Sequence, residues 1–161
     1  MKILLALITV SSLLFSNVNQ KVVLITGTAL GIGKSTALHL IEKGHIVYGG
    51  DILIEENLYL NESGGYAIEM DVTKQEHIDA AISKIIEEQG RIDVLVNNAG
   101  LGVYGAIEDV SIEDAKYQYD VNLFGVARAT KAVLPYMREQ KSGTIINISS
   151  VLGETYGPIA G

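Results

Sequence analysis

The sequence predicts an α/β fold: a doubly wound parallel sheet with helices on both faces. Three observations point there. Short apolar runs alternate with amphipathic stretches from residue 21 onward, and strands alternating with helices build parallel sheets. The first apolar run passes through a glycine-rich turn directly into a helical stretch. The later runs end in acids, asparagines or serines. That pattern gathers polar side chains at one edge of the sheet, the edge where open α/β sheets bind ligands.

The first strand is Val22-Val23-Leu24-Ile25, β-branched and uncharged, as a strand buried on both faces should be. The turn Thr26-Gly27-Thr28-Ala29-Leu30-Gly31-Ile32-Gly33 follows. Residues 34–43 place Ala37, Leu38, Leu40 and Ile41 at helical spacing. The second strand covers residues 45–50 and ends at Asp51. A weak helical stretch over 55–60 stops at the polar and glycine-rich residues 61–65. The third strand, 66–70, closes on Asp71-Val72. Thr73 and Glu76 have capping-box spacing. The helix behind them carries Ile78, Ala81, Ile82, Ile85 and Ile86 on one face, and Gly90 stops it. The fourth strand, 92–96, runs into Asn97-Asn98-Ala99-Gly100. A loop with Gly102 and Gly105 follows, then a second capping signal over 111–114. A long helix runs to about Gln140, carrying Asn122, Gly125 and Pro135, and Ser142-Gly143 ends it. The fifth strand, 144–148, closes on Ser149-Ser150. No linker or repeat interrupts residues 21–161, which make one domain.

Composition narrows the function classes. The chain has 161 residues, enough for one core. Its net charge is −7 and no basic stripe occurs, so nucleic acid is not an expected partner. There is no cysteine, hence no disulfide framework, thiol nucleophile or thiolate metal site. His39, His45 and His77 show no ligand spacing, so no metal is expected.

Residues 1–20 differ in kind. Lys2 precedes an apolar run from Ile3 to Phe15, broken only by Thr9, Ser11 and Ser12, and a polar exit follows. That layout suggests a signal peptide or membrane anchor, although the run is short for a span of about 20 residues. Membrane association through this segment is the corresponding expectation, and a cytoplasmic location if the segment is not used. It lies outside the predicted fold.

The glycine turn has a physical logic. One glycine lets the backbone turn off the strand, another lets a pyrophosphate approach the helix N-terminus, and a third lets helix and strand pack closely. The unpaired N–H groups and the dipole of the new helix then face the phosphates. The fingerprint expects an acid about 20 residues further on, where Asp51 stands. A carboxylate there accepts from both ribose hydroxyls of an adenosine and repels a 2′-phosphate. Leu30 adds no charge to hold such a phosphate. Both positions favour NAD over NADP.

Together these features resemble the short-chain dehydrogenase/reductase family, with its Rossmann-like sheet, over residues 21–161. The carrying motifs are T-G-x-x-x-G-x-G at 26–33, N-N-A-G at 97–100, V-N-L-x-G at 121–125 and I-S-S-V-x-G at 148–153. The resemblance implies that Gly27, Gly31, Ile32 and Gly33 cradle the pyrophosphate and neighbouring ribose, and that Asp51 holds the adenosine ribose. It implies that Asp71 accepts from the adenine amino group while the Val72 N–H donates to the ring. Asn98, Ala99 and Gly100 would line the ribose, and Asn97 would tie neighbouring strands. Asn122 would distort the long helix and hold a water in a proton relay. Ser150 would orient the reacting oxygen of an alcohol or ketone. The helix over 112–140 would form a homo-oligomer interface. Tyr104, Tyr117 and Tyr119 are expected to serve packing.

The family's chemistry also needs a Y-x-x-x-K pair about a dozen residues after the serine. Tyr156 is the tyrosine that follows Ser150; Ala160 stands four residues on, and Gly157-Pro158 forbids a helix there. The expectation is therefore an N-terminal fragment of an NAD-dependent oxidoreductase, its sheet truncated after the fifth strand and the chain inactive as it stands. The alternative is a non-catalytic NAD-binding sensor or interaction module. A nucleotide-sugar epimerase would prefer the spacing T-G-x-x-G-x-x-G, which residues 26–33 do not have.

Overall fold

The structure is a computed structural model, and it describes residues 20–150. The segment read as a signal peptide or anchor therefore lies outside the described residues up to Gln20, as do Tyr156 and the rest of 151–161. Among the described residues no helix is long and apolar enough to cross a membrane.

Five strands form one parallel sheet. They are β1 (Val22–Thr26), β2 (Ile46–Asp51), β3 (Tyr66–Glu69), β4 (Val94–Asn97) and β5 (Thr144–Asn147), in spatial order β3-β2-β1-β4-β5. The helices between them are α1 (Gly31–Glu42), α2 (Ile54–Asn57), α3 (Tyr59–Glu62), α4 (Gln75–Gln89), α5 (Ile112–Tyr119) and α6 (Val126–Gln140). A π-helical segment, Asp120–Gly125, joins α5 to α6.

Double winding follows from the two-residue period of β1. Val22 and Leu24 join a core with Ile78, Ile82 and Ile85 of α4 and Ala129 and Val133 of α6. Val23 and Ile25 point the other way, into a core with Ala37 of α1 and Leu60 of α3. Every residue of β1 is buried, which explains its unbroken apolar run. After β1 the chain winds outward through β2 and β3, then returns to β4 on the other side of β1. The direction of winding reverses between β1 and β4, which makes that crevice the topological switch point of the sheet.

Local signals explain the helix ends. Gly90 closes α4 with φ of 71° and donates to the Ile86 carbonyl at 2.8 Å. Ser111 caps α5, its hydroxyl accepting from the Asp114 N–H at 3.0 Å and donating to the Asp114 carboxylate at 2.8 Å. Two expectations are corrected. The capping box at Thr73 and Glu76 does not form. The Thr73 hydroxyl donates instead to Asp71 Oδ1 at 2.7 Å, and Lys74 precedes the helix with no side-chain cap. The long helix ends at Gln140, as the sequence suggests, but the residue that stops it is Lys141, left-handed with φ of 55°, in place of Ser142-Gly143. Gly143 is needed for space: a Cβ there would lie 2.5 Å from the Met137 side chain.

Candidate functional site

The site is built at the carboxyl ends of β1 to β4. Gly27 leaves β1 with φ of 74°, and its N–H donates to the Gly50 carbonyl at 2.7 Å. Gly33, in the first turn of α1, packs against that turn so closely that a Cβ would sit 1.9 Å from the Gly27 carbonyl oxygen. Side chain is excluded on both sides of the turn, and the backbone of the α1 N-terminus lies open to an anion.

Asn98 closes the junction between β1 and β4. Its Nδ2 donates to the carbonyls of Thr26 at 3.0 Å and Gly27 at 2.8 Å. The Thr26 hydroxyl accepts in return from the N–H groups of Asn98 and Ala99, at 3.0 and 2.9 Å. The Asn98 side chain is thus turned toward the glycine turn. Its neighbour Asn97 donates to Asn147 Oδ1 at 2.8 Å and to the Thr130 hydroxyl at 3.2 Å, which ties β4 to β5 and α6.

Asp51 ends β2. Its Oδ2 accepts from the Ala29 N–H at 2.8 Å and its Oδ1 from the Leu53 N–H at 3.0 Å. Asp71 lies beyond β3, and its Oδ1 accepts from both the N–H and the hydroxyl of Thr73, at 2.9 and 2.7 Å. Burial alone would raise the Asp71 carboxyl. The two Thr73 hydrogen bonds, with the Lys74 and His77 side chains nearby, outweigh that and hold it below its ordinary range.

Between these groups lies a cleft of about 170 Å³. Gly27, Asp51, Asp71, Val72, Ala99 and Gly100 line it, with apolar walls from Ile52, Met70, Leu101 and Val121 and the Tyr117 side chain at its rim. Six of the sequence-predicted residues therefore meet in one cavity. Gly31, Ile32 and Gly33 follow in the turn and the first turn of α1, and Asn98, after β4, holds the turn through the carbonyls of Thr26 and Gly27. Asn122 stands behind its wall: the side chain accepts from the Leu101 N–H at 3.0 Å and donates to the Leu101 carbonyl at 2.7 Å. It does so from the π-helical segment, where the long helix is distorted. Ser150 follows β5 at the same edge of the sheet. The apolar walls escaped the sequence reading because isolated apolar residues at strand ends look like core. Tyr104, Tyr117 and Tyr119 keep much of their surface exposed; Tyr104 lies against Gly102 and Tyr117 lines the cleft.

The comparisons agree with this geometry. Residues 21–160 match the short chain dehydrogenase family. The chain is 47% identical over 133 residues to a 3-ketodihydrosphingosine reductase of Bacteroides thetaiotaomicron, covering 83% of this chain and 48% of the relative. It is 42% identical over 140 residues to the 3-oxoacyl-[acyl-carrier-protein] reductase FabG of Thermotoga maritima, covering 83% and 56%. A solved 3-ketoacyl-(acyl-carrier-protein) reductase from Brucella melitensis, complexed with NADH, superposes with a TM-score of 0.84 at 28% identity, covering 89% of this chain and 62% of that one. The chain belongs to the short-chain dehydrogenase family. It spans about half the length of the curated relatives it matches.

Proposed function

We propose that this chain supplies the NAD-binding half of an oxidoreductase acting on an alcohol or ketone. The observation that carries the reading is the cleft at the switch point, which brings Gly27 of the glycine turn and the carboxylates of Asp51 and Asp71 into one lining. The residues fit the cofactor: nothing lies within 4 Å of where a Cβ would stand at Gly31, while Gly27 and Gly33 let the turn close against Ala99, Asn98 and its own backbone beside that open space. Gly27, Gly31, Ile32 and Gly33 would hold the pyrophosphate through backbone N–H groups. Asp51 would accept from the adenosine ribose hydroxyls and Asp71 from the adenine amino group, with Val72 beside the ring. Ala99 and Gly100 would line the ribose, and Asn98 would keep the turn in place. Bound nicotinamide supplies or accepts the hydride. Ser150 would orient the reacting oxygen, and Asn122 would hold the loop that carries Leu101.

The names of the relatives support a carbonyl reduced to an alcohol as the physiological direction. Asp51 and the uncharged Leu30 support NAD over NADP, since a carboxylate at the ribose repels a 2′-phosphate. An oligomer formed through residues 112–140 belongs to the same reading. It is supported by an apolar groove of about 530 Å³ along α5 and by the exposure of Ile112, Tyr119 and Phe124. Calorimetric titration of the 161-residue chain with NAD and with NADP tests the cofactor assignment. Tighter binding of NAD is expected; tighter binding of NADP would overturn it.

A further inference from the structure

The glycine turn is also held from behind, by residues that the cofactor cleft does not include. Thr28 sits one residue after Gly27 and is fully buried, as is Asn57 at the end of α2. The Thr28 hydroxyl donates to Asn57 Oδ1 at 2.9 Å, and Asn57 Nδ2 donates to the Gly49 carbonyl of β2 at 2.8 Å. The Tyr59 hydroxyl, from α3, donates to the Thr28 carbonyl at 2.8 Å. Burial, and then the Asp51 carboxylate nearby, push the Tyr59 phenol up to about 12, so this donor keeps its proton throughout the neutral range. The Lys34 ammonium lies 4.2 Å from the centre of the Tyr59 ring, which links the first turn of α1 to the same support. Room for the arrangement comes from Gly49, where a Cβ would lie 2.4 Å from the Thr28 hydroxyl and 2.3 Å from Leu60.

A buried polar pair is a poor way simply to fill space. Two apolar side chains of the same shape would do so without desolvating a hydroxyl and an amide. What the polar pair adds is direction: hydrogen bonds fix the Thr28 side chain and carbonyl at both ends. The next N–H, that of Ala29, donates to Asp51, so the orientation of Thr28 passes to the residue that faces the ribose. We infer that Asn57 and Tyr59 are positioning residues for NAD, holding the glycine turn through Thr28 in the conformation that receives the dinucleotide. This rests on the NAD-binding reading above. Binding to a turn already in place loses less conformational freedom than binding to one that must be ordered.

The test is calorimetric NAD titration of the full chain and its Thr28→Val, Thr28→Ser and Tyr59→Phe variants, each with a denaturation curve so that affinity is compared between folded proteins. Thr28→Val keeps the shape and loses the hydroxyl; Thr28→Ser restores it; Tyr59→Phe keeps the ring and loses the donor. One net hydrogen bond corresponds to about a fivefold to tenfold change in affinity. The expected result is that loss for Thr28→Val and Tyr59→Phe, with Thr28→Ser close to wild type. Should Thr28→Val not fold, Tyr59→Phe decides. Folded variants that all bind NAD as tightly as wild type would overturn the inference while leaving the NAD reading intact. A wild-type chain that does not bind NAD would overturn both.

Discussion

Ala29 and Asp51 are joined by a 2.8 Å hydrogen bond from the backbone N–H of one to Oδ2 of the other. The bond fastens the glycine turn after β1 to the end of β2. Asp51 therefore has two tasks under the proposed function: it shapes the turn, and its remaining lone pairs face the ribose. Asp51→Ala should weaken NAD by about tenfold or more, the range expected when hydrogen bonds to a charged acceptor are lost. NADP should lose less, because the repulsion of its 2′-phosphate disappears with the carboxylate. Titration of the variant with both cofactors measures the gap. An equal loss for the two would mean that Asp51 acts on the turn alone.

The two glycines of the α1 N-terminus differ in what they require, and substitutions should separate them. At Gly33 a Cβ would lie 1.9 Å from the Gly27 carbonyl oxygen and 2.5 Å from Asn98 Nδ2. Neither atom can give way without breaking the junction of β1 with β4. Gly33→Ala should cost about 3 kcal/mol or more, at or above the upper end of ordinary overpacking. At Gly31 nothing lies within 4 Å of the Cβ position, but φ is 57°. Gly31→Ala should cost only about 1–2 kcal/mol, the penalty of the left-handed region. Urea unfolding of the two variants checks the order; a larger loss for Gly31→Ala would show that close packing does not set the role of Gly33.

Asp71 should make the fold sensitive to acid. Its carboxyl is held below the ordinary range, since the Thr73 hydrogen bonds and the Lys74 and His77 side chains outweigh burial. A group depressed in the folded state stabilises it above the unfolded pKa, about 3.9 for aspartate, and that contribution is lost as pH falls through the folded value. Asp71→Asn keeps an acceptor for Thr73 but cannot titrate. The variant should be less stable than wild type at neutral pH, and the gap should close below about pH 4. Urea midpoints measured between neutral and acid pH follow the gap directly. A gap that stays constant over that range would remove Asp71 from the acid response.

Much of the site was legible because its requirements fall on the backbone. A tight turn off a buried strand needs glycine, and glycine stands out in a sequence. An acid or asparagine at a strand end is equally visible, because the strand before it is apolar. The parallel sheet followed from the alternation of elements. Competition between neighbours was less legible. Thr73 has the spacing of a helix cap, yet Asp71, two residues back, takes its hydroxyl. The residue that stops α6 was missed, though its end near Gln140 was not, because the glycine nearby, Gly143, serves packing against Met137, while Lys141 takes the left-handed position. The pair Thr28 and Asn57 lies 29 residues apart. No local pattern joins two such residues; only the packing of α2 against the turn brings them together.

Asn122 offers a test in which pH changes the sign of one contact. Its side chain uses both of its ends on one residue, accepting from the Leu101 N–H at 3.0 Å and donating to the Leu101 carbonyl at 2.7 Å. Leu101 lines the cleft between the strand ends, so the clamp holds part of its wall. Asn122→Ala removes both bonds. At an exposed position these contribute toward the low end of the usual range, about 1–2 kcal/mol together. Asn122→Asp is the more informative change. The variant carboxylate can still accept from the Leu101 N–H, but at neutral pH its second oxygen meets the Leu101 carbonyl oxygen with no proton between them. Protonation restores a donor, so the folded state raises the pKa of the new carboxyl above its unfolded value. A group raised in this way stabilises the fold below the unfolded pKa, about 3.9, and loses that contribution as pH rises through the folded value. Relative to wild type, Asn122→Asp should be least stable at neutral pH and recover on acidification toward pH 4. Asn122→Ala should show no such recovery. Urea unfolding of the three proteins across that range makes the comparison. Parallel curves for the two variants would show that the bond to the Leu101 carbonyl does not hold the loop, and would leave the N–H contact as the whole of the clamp.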